Sequence, residues 1–83
     1  MRQNCFYNFF MESQIRKNLA YHLKVERAKK DLTQEKLAEL TGISPKHITK
    51  IEAMNVTPSV YLVYKIAKVF NTTVDRLISD ADD

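Results

Sequence analysis

The run Thr33-Gln34-Glu35-Lys36-Leu37-Ala38-Glu39-Leu40-Thr41-Gly42-Ile43-Ser44-Pro45-Lys46-His47-Ile48-Thr49-Lys50-Ile51 decides the fold. Thr33 offers a hydroxyl cap for a helix, and Glu35 stands in its first turn, where a carboxylate suits the helix dipole. Leu37, Ala38 and Thr41 share the inner face at helical spacing. Gly42, the sole glycine of the chain, follows at once. A helix that ends on a left-handed residue wants glycine there, because a Cβ would be strained. Ser44-Pro45 then opens a second helix, serine as N-cap and proline as first helical residue. That helix is expected to run to about Met54, with Ile48 and Ile51 wedged against the first helix. Ala38 falls where the two approach, and a larger side chain would push them apart. Two short helices joined at a steep crossing by a tight turn make helix-turn-helix geometry. The outer face of the second helix is left to project, and it carries Pro45, Lys46, His47, Thr49 and Lys50.

Helical signals continue on both sides. Ile15, Leu19, Leu23 and Arg27 recur every four residues and predict a helix from Ser13, as N-cap, to about Lys30. Ser59 or Pro58 opens a helix through Phe70, with Leu62, Val63, Ile66, Ala67 and Phe70 inward, and Asn71 suits its left-handed cap. Thr73 caps a last short helix from Val74 to about Ser79, carrying Leu77 and Ile78. The expected fold is all-α, a bundle of five helices over residues 13–79. Residues 1–12, with Cys5, Phe6, Tyr7, Phe9, Phe10 and Met11 crowded together, read as a separate leader. It is either a loose tail, dispensable if Met11 is an alternative start, or an aromatic arm packed on the domain or a second subunit. Residues 80–83 read as a solvated acidic tail.

Composition narrows the function. At 83 residues and 45% hydrophobic the chain forms one small domain with a compact core. One glycine and two prolines exclude a turn-rich β fold and a glycine-rich phosphate cradle. One cysteine excludes an internal disulfide or a thiol zinc module. His22 and His47 stand far apart with no carboxylates arranged around them, so no metal, cofactor or catalytic activity is expected. No apolar run approaches a membrane span and no secretory signal is evident, so a cytoplasmic protein is expected. The net charge is +3. Residues 1–50 hold 10 basic and 5 acidic side chains, and residues 51–83 hold 3 and 5. A basic half of this kind points to an anionic partner.

The run Leu32–Ser44 resembles the opening of the lambda-repressor-like, XRE/Cro-type helix-turn-helix family. Pro58-Ser59, Ile66-Ala67-Lys68-Val69-Phe70-Asn71 and Val74-Asp75-Arg76-Leu77 are similar to its fourth and fifth helices. The likeness covers residues 15–79. It implies a five-helix lambda-repressor-like bundle that binds double-stranded operator DNA, as a homodimer, and regulates transcription. Carried over position by position, it implies that Gln34 clamps a DNA phosphate and that Pro45, Lys46 and Lys50 read base edges. Lys46 and Lys50, four apart, are able to donate to guanine O6 and N7. Ser44, His47 and Thr49 fall on the groove-facing or phosphate-facing margin, and Thr49 has the alternative of bonding back within its helix. Arg27 and Glu52 fall where the family places a buried arginine–glutamate pair.

Two departures matter. The family's glycine and basic residues after the third helix are replaced by Ala53-Met54-Asn55-Val56-Thr57, which holds no lysine or arginine, so Asn55 is the expected neutral phosphate contact there. Glu26 stands where relatives carry an apolar residue, and is placed to pair with Lys30. The expected dimer face is Phe70, Val74, Leu77 and Ile78, with the aromatic leader as the second choice. The alternative function is a protein-interaction module on the same fold, antitoxin-like or an anti-repressor adaptor, whose partner is a protein rather than DNA.

Overall fold

The computed structural model describes residues 5–80, with side chains from residue 12 onward. Five helices follow one another: α1 (Cys5–Lys29), α2 (Gln34–Thr41), α3 (Pro45–Glu52), α4 (Val60–Phe70) and α5 (Val74–Ile78). Helix α1 starts well before the expected Ser13 cap. No glycine or proline interrupts the chain before Gly42, so nothing stops the helix from extending upstream. The side-chain packing of the aromatic leader lies outside the described residues, as does the tail from residue 81. Asp80 is not simply solvated: its carboxylate accepts a hydrogen bond from Asn18 Nδ2 at 3.2 Å.

The N-caps are those the sequence announces. Thr33, Ser44, Ser59 and Thr73 each accept a backbone N–H from the first turn of the following helix. The C-terminal ends of α1 to α4 divide into two kinds. Gly42 ends α2 at φ 76°, its N–H donating to Ala38 O. Asp31, Met54 and Asn71 are left-handed without being glycine, at φ 58°, 64° and 60°. Around each, the next N–H reaches back five residues: Leu32 to Arg27 O, Asn55 to Lys50 O and Thr72 to Ala67 O. These crossed bonds are the Schellman pattern, which satisfies carbonyls that a helix end leaves open. At Met54 the reversal stops α3 at Glu52, two residues short of the expected end.

The core joins all five helices. Leu19 and Leu23 of α1, Leu37 and Ala38 of α2, Ile48 and Ile51 of α3, Val63, Ile66, Ala67 and Phe70 of α4 and Leu77 of α5 form one buried cluster with Ile43 from the turn. Leu62, Val74 and Ile78 pack against it while remaining partly exposed. The face expected to carry a dimer contact therefore needs correction. Phe70 and Leu77 retain 2% and 1% of their surface, because α4 and α5 each spend one of these residues on the core rather than presenting it to a partner.

Candidate nucleic-acid interface

The site begins with how α3 is held. Ile48, Ile51 and Glu52 are its buried side, while Pro45, Lys46, Thr49 and Lys50 are exposed. Ser44 fixes its start, its hydroxyl accepting the His47 N–H at 3.1 Å, so this side chain has a structural duty before any ligand arrives. Lys46 and Lys50 form no salt bridge among the described residues. Both ammonium groups thus remain available, because the one carboxylate of the helix, Glu52, is turned into the bundle and pairs with Arg27.

Behind that face lies a polar network. Arg27 donates from Nε to Glu52 Oε2 at 2.7 Å and from Nη2 to Glu52 Oε1 at 2.9 Å. Its Nη1 donates to Leu32 O at 2.8 Å. One guanidinium thereby ties α1 to the end of α3 and to the connection before α2, as the family resemblance implied for this pair. Glu52 is 4% exposed and the Arg27 side chain 20%. The hydrogen bond to Glu52 holds the Arg27 guanidinium above its ordinary pKa; partial burial opposes this, and coulombic attraction to the same carboxylate adds to it. A bidentate, charge-assisted pair of this kind fixes geometry as well as charge.

Gln34 enters the same network. Its Nε2 donates to Glu52 Oε1 at 2.9 Å, and its Oε1 accepts from Thr49 Oγ1 at 2.8 Å. Thr49 Oγ1 also lies 3.0 Å from Pro45 O, the back-bonding alternative. The residue expected to clamp a phosphate is thus oriented from within the protein first. These two contacts span 18 and 15 residues of chain, and no local motif announces them.

The remaining expected residues are dispersed around this centre. His47 is half-buried, and its Nε2 is shielded without a hydrogen-bond partner among the described residues. Asn55 is exposed, its backbone N–H spent on Lys50 O. Glu26 pairs with both Lys29 and Lys30, at 3.6 and 3.7 Å. The loop after α3 carries no cation of its own, but Arg16 of α1 reaches it and donates to Thr57 Oγ1. The sequence reading missed this tie, along with the buried Asn18, which donates to Ile78 O at 2.9 Å and links α1 to α5. Two tyrosines of α4, Tyr61 and Tyr64, lie on the surface. They are 65% and 50% exposed, with Lys65 and Lys68 above their rings.

Known proteins agree with this architecture. A family model described as helix-turn-helix matches residues 23–77. An uncharacterized HTH-type transcriptional regulator from Archaeoglobus fulgidus is 40% identical over 57 residues, covering 69% of this chain and 81% of that protein. Another, from Methanocaldococcus jannaschii, is 41% identical over 61 residues, covering 74% and 92%. Among solved structures, the hypothetical transcription factor NHTF from Neisseria superimposes with a TM-score of 0.79 at 23% identity, over 84% of this chain and 80% of that one. An HTH_3 family transcriptional regulator from Vibrio cholerae gives 0.74 at 24% identity, over 80% and 37%. The capped helix pair, the glycine turn and the Arg27–Glu52 tie occur within the matched span, and the chain belongs to the XRE-type helix-turn-helix family of DNA-binding transcriptional regulators.

Proposed function

We propose that the protein is a sequence-specific regulator that sets α3 into the major groove of duplex DNA, acting as a two-fold dimer. The observation that carries this reading is the division of α3: Ile48, Ile51 and Glu52 bind it to the bundle, while Pro45, Lys46 and Lys50 project together. A helix of eight residues is about 12 Å long, short enough to lie across the groove. Lys46 and Lys50 are the base-reading residues, Pro45 meets base edges by contact, and Gln34 and Asn55 take backbone phosphates on either side. His47 and Ser44 flank the groove. Two recognition helices in such a dimer stand ~34 Å apart and read a roughly palindromic site.

Selection from random duplex DNA tests this. The wild type enriches a palindrome, and Lys46→Ala/Lys50→Ala does not. With ~6 phosphates covered, log K falls against log[salt] with a slope of about −5. A salt-insensitive interaction, or no enriched sequence, refutes groove docking. The second reading, an adaptor for a protein partner, draws on the exposed Val60, Tyr61 and Tyr64 of α4 and on the uncharged 53–57 loop. It requires that selection return nothing while a protein partner binds.

A further inference from the structure

We infer that Thr49 is a positioning residue, one that locks the Gln34 side chain in its phosphate-ready orientation without itself touching DNA. This rests on the DNA-binding reading above and names the device that makes its phosphate contact effective.

The argument starts from which atoms are able to donate. A carboxylate only accepts hydrogen bonds, so the Gln34 amide must turn Nε2 toward Glu52 Oε1, as found at 2.9 Å. The same plane then directs Oε1 to the opposite side, where the Thr49 hydroxyl donates at 2.8 Å. Both ends of the amide are fixed, each by a different part of α3. One Nε2 hydrogen is used on Glu52, and the second has no partner among the described residues. It stands at the start of α2, where the N–H groups of Gln34 and Glu35 have no intrahelical acceptor. A phosphate oxygen approaching there meets an amide already held in place. The Thr49 hydroxyl has a single hydrogen, directed to Gln34 or to Pro45 O, so it has none left to donate to DNA while it holds Gln34.

A glutamine that must be immobilised on binding costs affinity. Holding it beforehand is worth roughly a 2- to 10-fold gain per contact. The full chain is titrated against the duplex enriched by selection, as wild type, Thr49→Val, Thr49→Ser, Gln34→Ala and the Gln34→Ala/Thr49→Val double variant. Thr49→Val is expected to weaken binding about 2- to 10-fold, Thr49→Ser to restore it, and Thr49→Val to add nothing once Gln34 is alanine. In the free protein, the order parameter of the Gln34 side-chain amide is expected to approach the rigid-backbone value of ~0.85 in the wild type and to fall below ~0.6 in Thr49→Val.

An undiminished effect of Thr49→Val in the Gln34→Ala background overturns the inference, because Thr49 then acts on DNA directly. A mobile Gln34 amide in the wild type overturns it too. Either result leaves groove docking standing, whereas a wild type that enriches no duplex removes both.

Discussion

Glu52→Ala removes the acceptor on which three donors converge: Arg27 Nε, Arg27 Nη2 and Gln34 Nε2. Taking one partner from a buried ion pair costs ~3–5 kcal/mol, mostly because the other charge stays behind unpaired. Two features set the expectation at the low end. Arg27 keeps 20% of its side chain in water, and its Nη1 retains Leu32 O at 2.8 Å. The expected loss is about 3 kcal/mol. At ~4–8 °C per kcal/mol for a domain of this size, the melting temperature falls by roughly 12–24 °C. Circular dichroism during thermal and urea unfolding measures it, with the urea midpoint shifting and the slope unchanged. Glu52→Gln, which keeps the shape and discards the charge, lies between the wild type and the alanine variant. Arg27→Met/Glu52→Leu costs less than Glu52→Ala alone, since no charge is left unpaired. A shift below about 4 °C for Glu52→Ala refutes the reasoning, as does unchanged stability in Glu52→Gln. The pair also sets a sign for pH. The raised Arg27 pKa means its contribution is complete below the ordinary arginine value and fades only as pH climbs through the raised one, so the Arg27 guanidinium lends stability no pH dependence near neutrality.

Gly42→Ala is expected to cost ~1–2 kcal/mol, all of it backbone strain at φ 76°, because the nearest atom to an added Cβ is the flexible end of Lys65 at 3.6 Å. Asparagine there costs less, and equal melting temperatures for the two variants would count against a left-handed requirement. Met54→Gly works in the opposite direction: relief of ~1–2 kcal/mol at φ 64° exceeds the ~0.5–1 kcal/mol of added chain entropy, so chemical denaturation shows a small gain in stability. Ile48→Ala, at a fully buried position where α3 meets the core, loses ~2–5 kcal/mol and lowers the urea midpoint. Lys46→Ala and Lys50→Ala change stability by less than about 0.5 kcal/mol in the same assay, while costing ~1–3 kcal/mol at particular base pairs in DNA titrations.

What the sequence made legible was local. Thr33, Ser44 and Thr73 each act within the next turn of chain, and Gly42 sits at a helix end where only one residue type is unstrained, so their roles follow from a few neighbours. Hydrophobic spacing placed Leu19, Leu23, Leu37, Ile48 and Ile66 in the core for the same reason. Two local readings went astray because their signals compete. Ser13 is a favourable cap, but a favourable cap does not end a helix already running through it. Met54 resembles helix interior by type and is nevertheless the left-handed stop, since tertiary closure of the loop prevails over residue preference. The candidate site was legible as an exposed face, Pro45, Lys46 and Lys50, and through the family for Arg27 with Glu52. Gln34 meeting Thr49 and Glu52, and Arg16 meeting Thr57, depend on where separate helices come to rest; such pairings leave no periodicity to read.

Helix α1 is the longest element, and two arginines moor the α3 region to it, Arg27 at Glu52 and Arg16 at Thr57 in the loop beyond. The projecting helix is therefore braced along a beam rather than hung from its turn alone. If α3 docks in the groove as proposed, a helix held this stiffly has little compliance of its own, and adjustment falls to the duplex. Base steps outside the contact of Lys46 and Lys50 would then influence affinity through the ease with which they bend or twist.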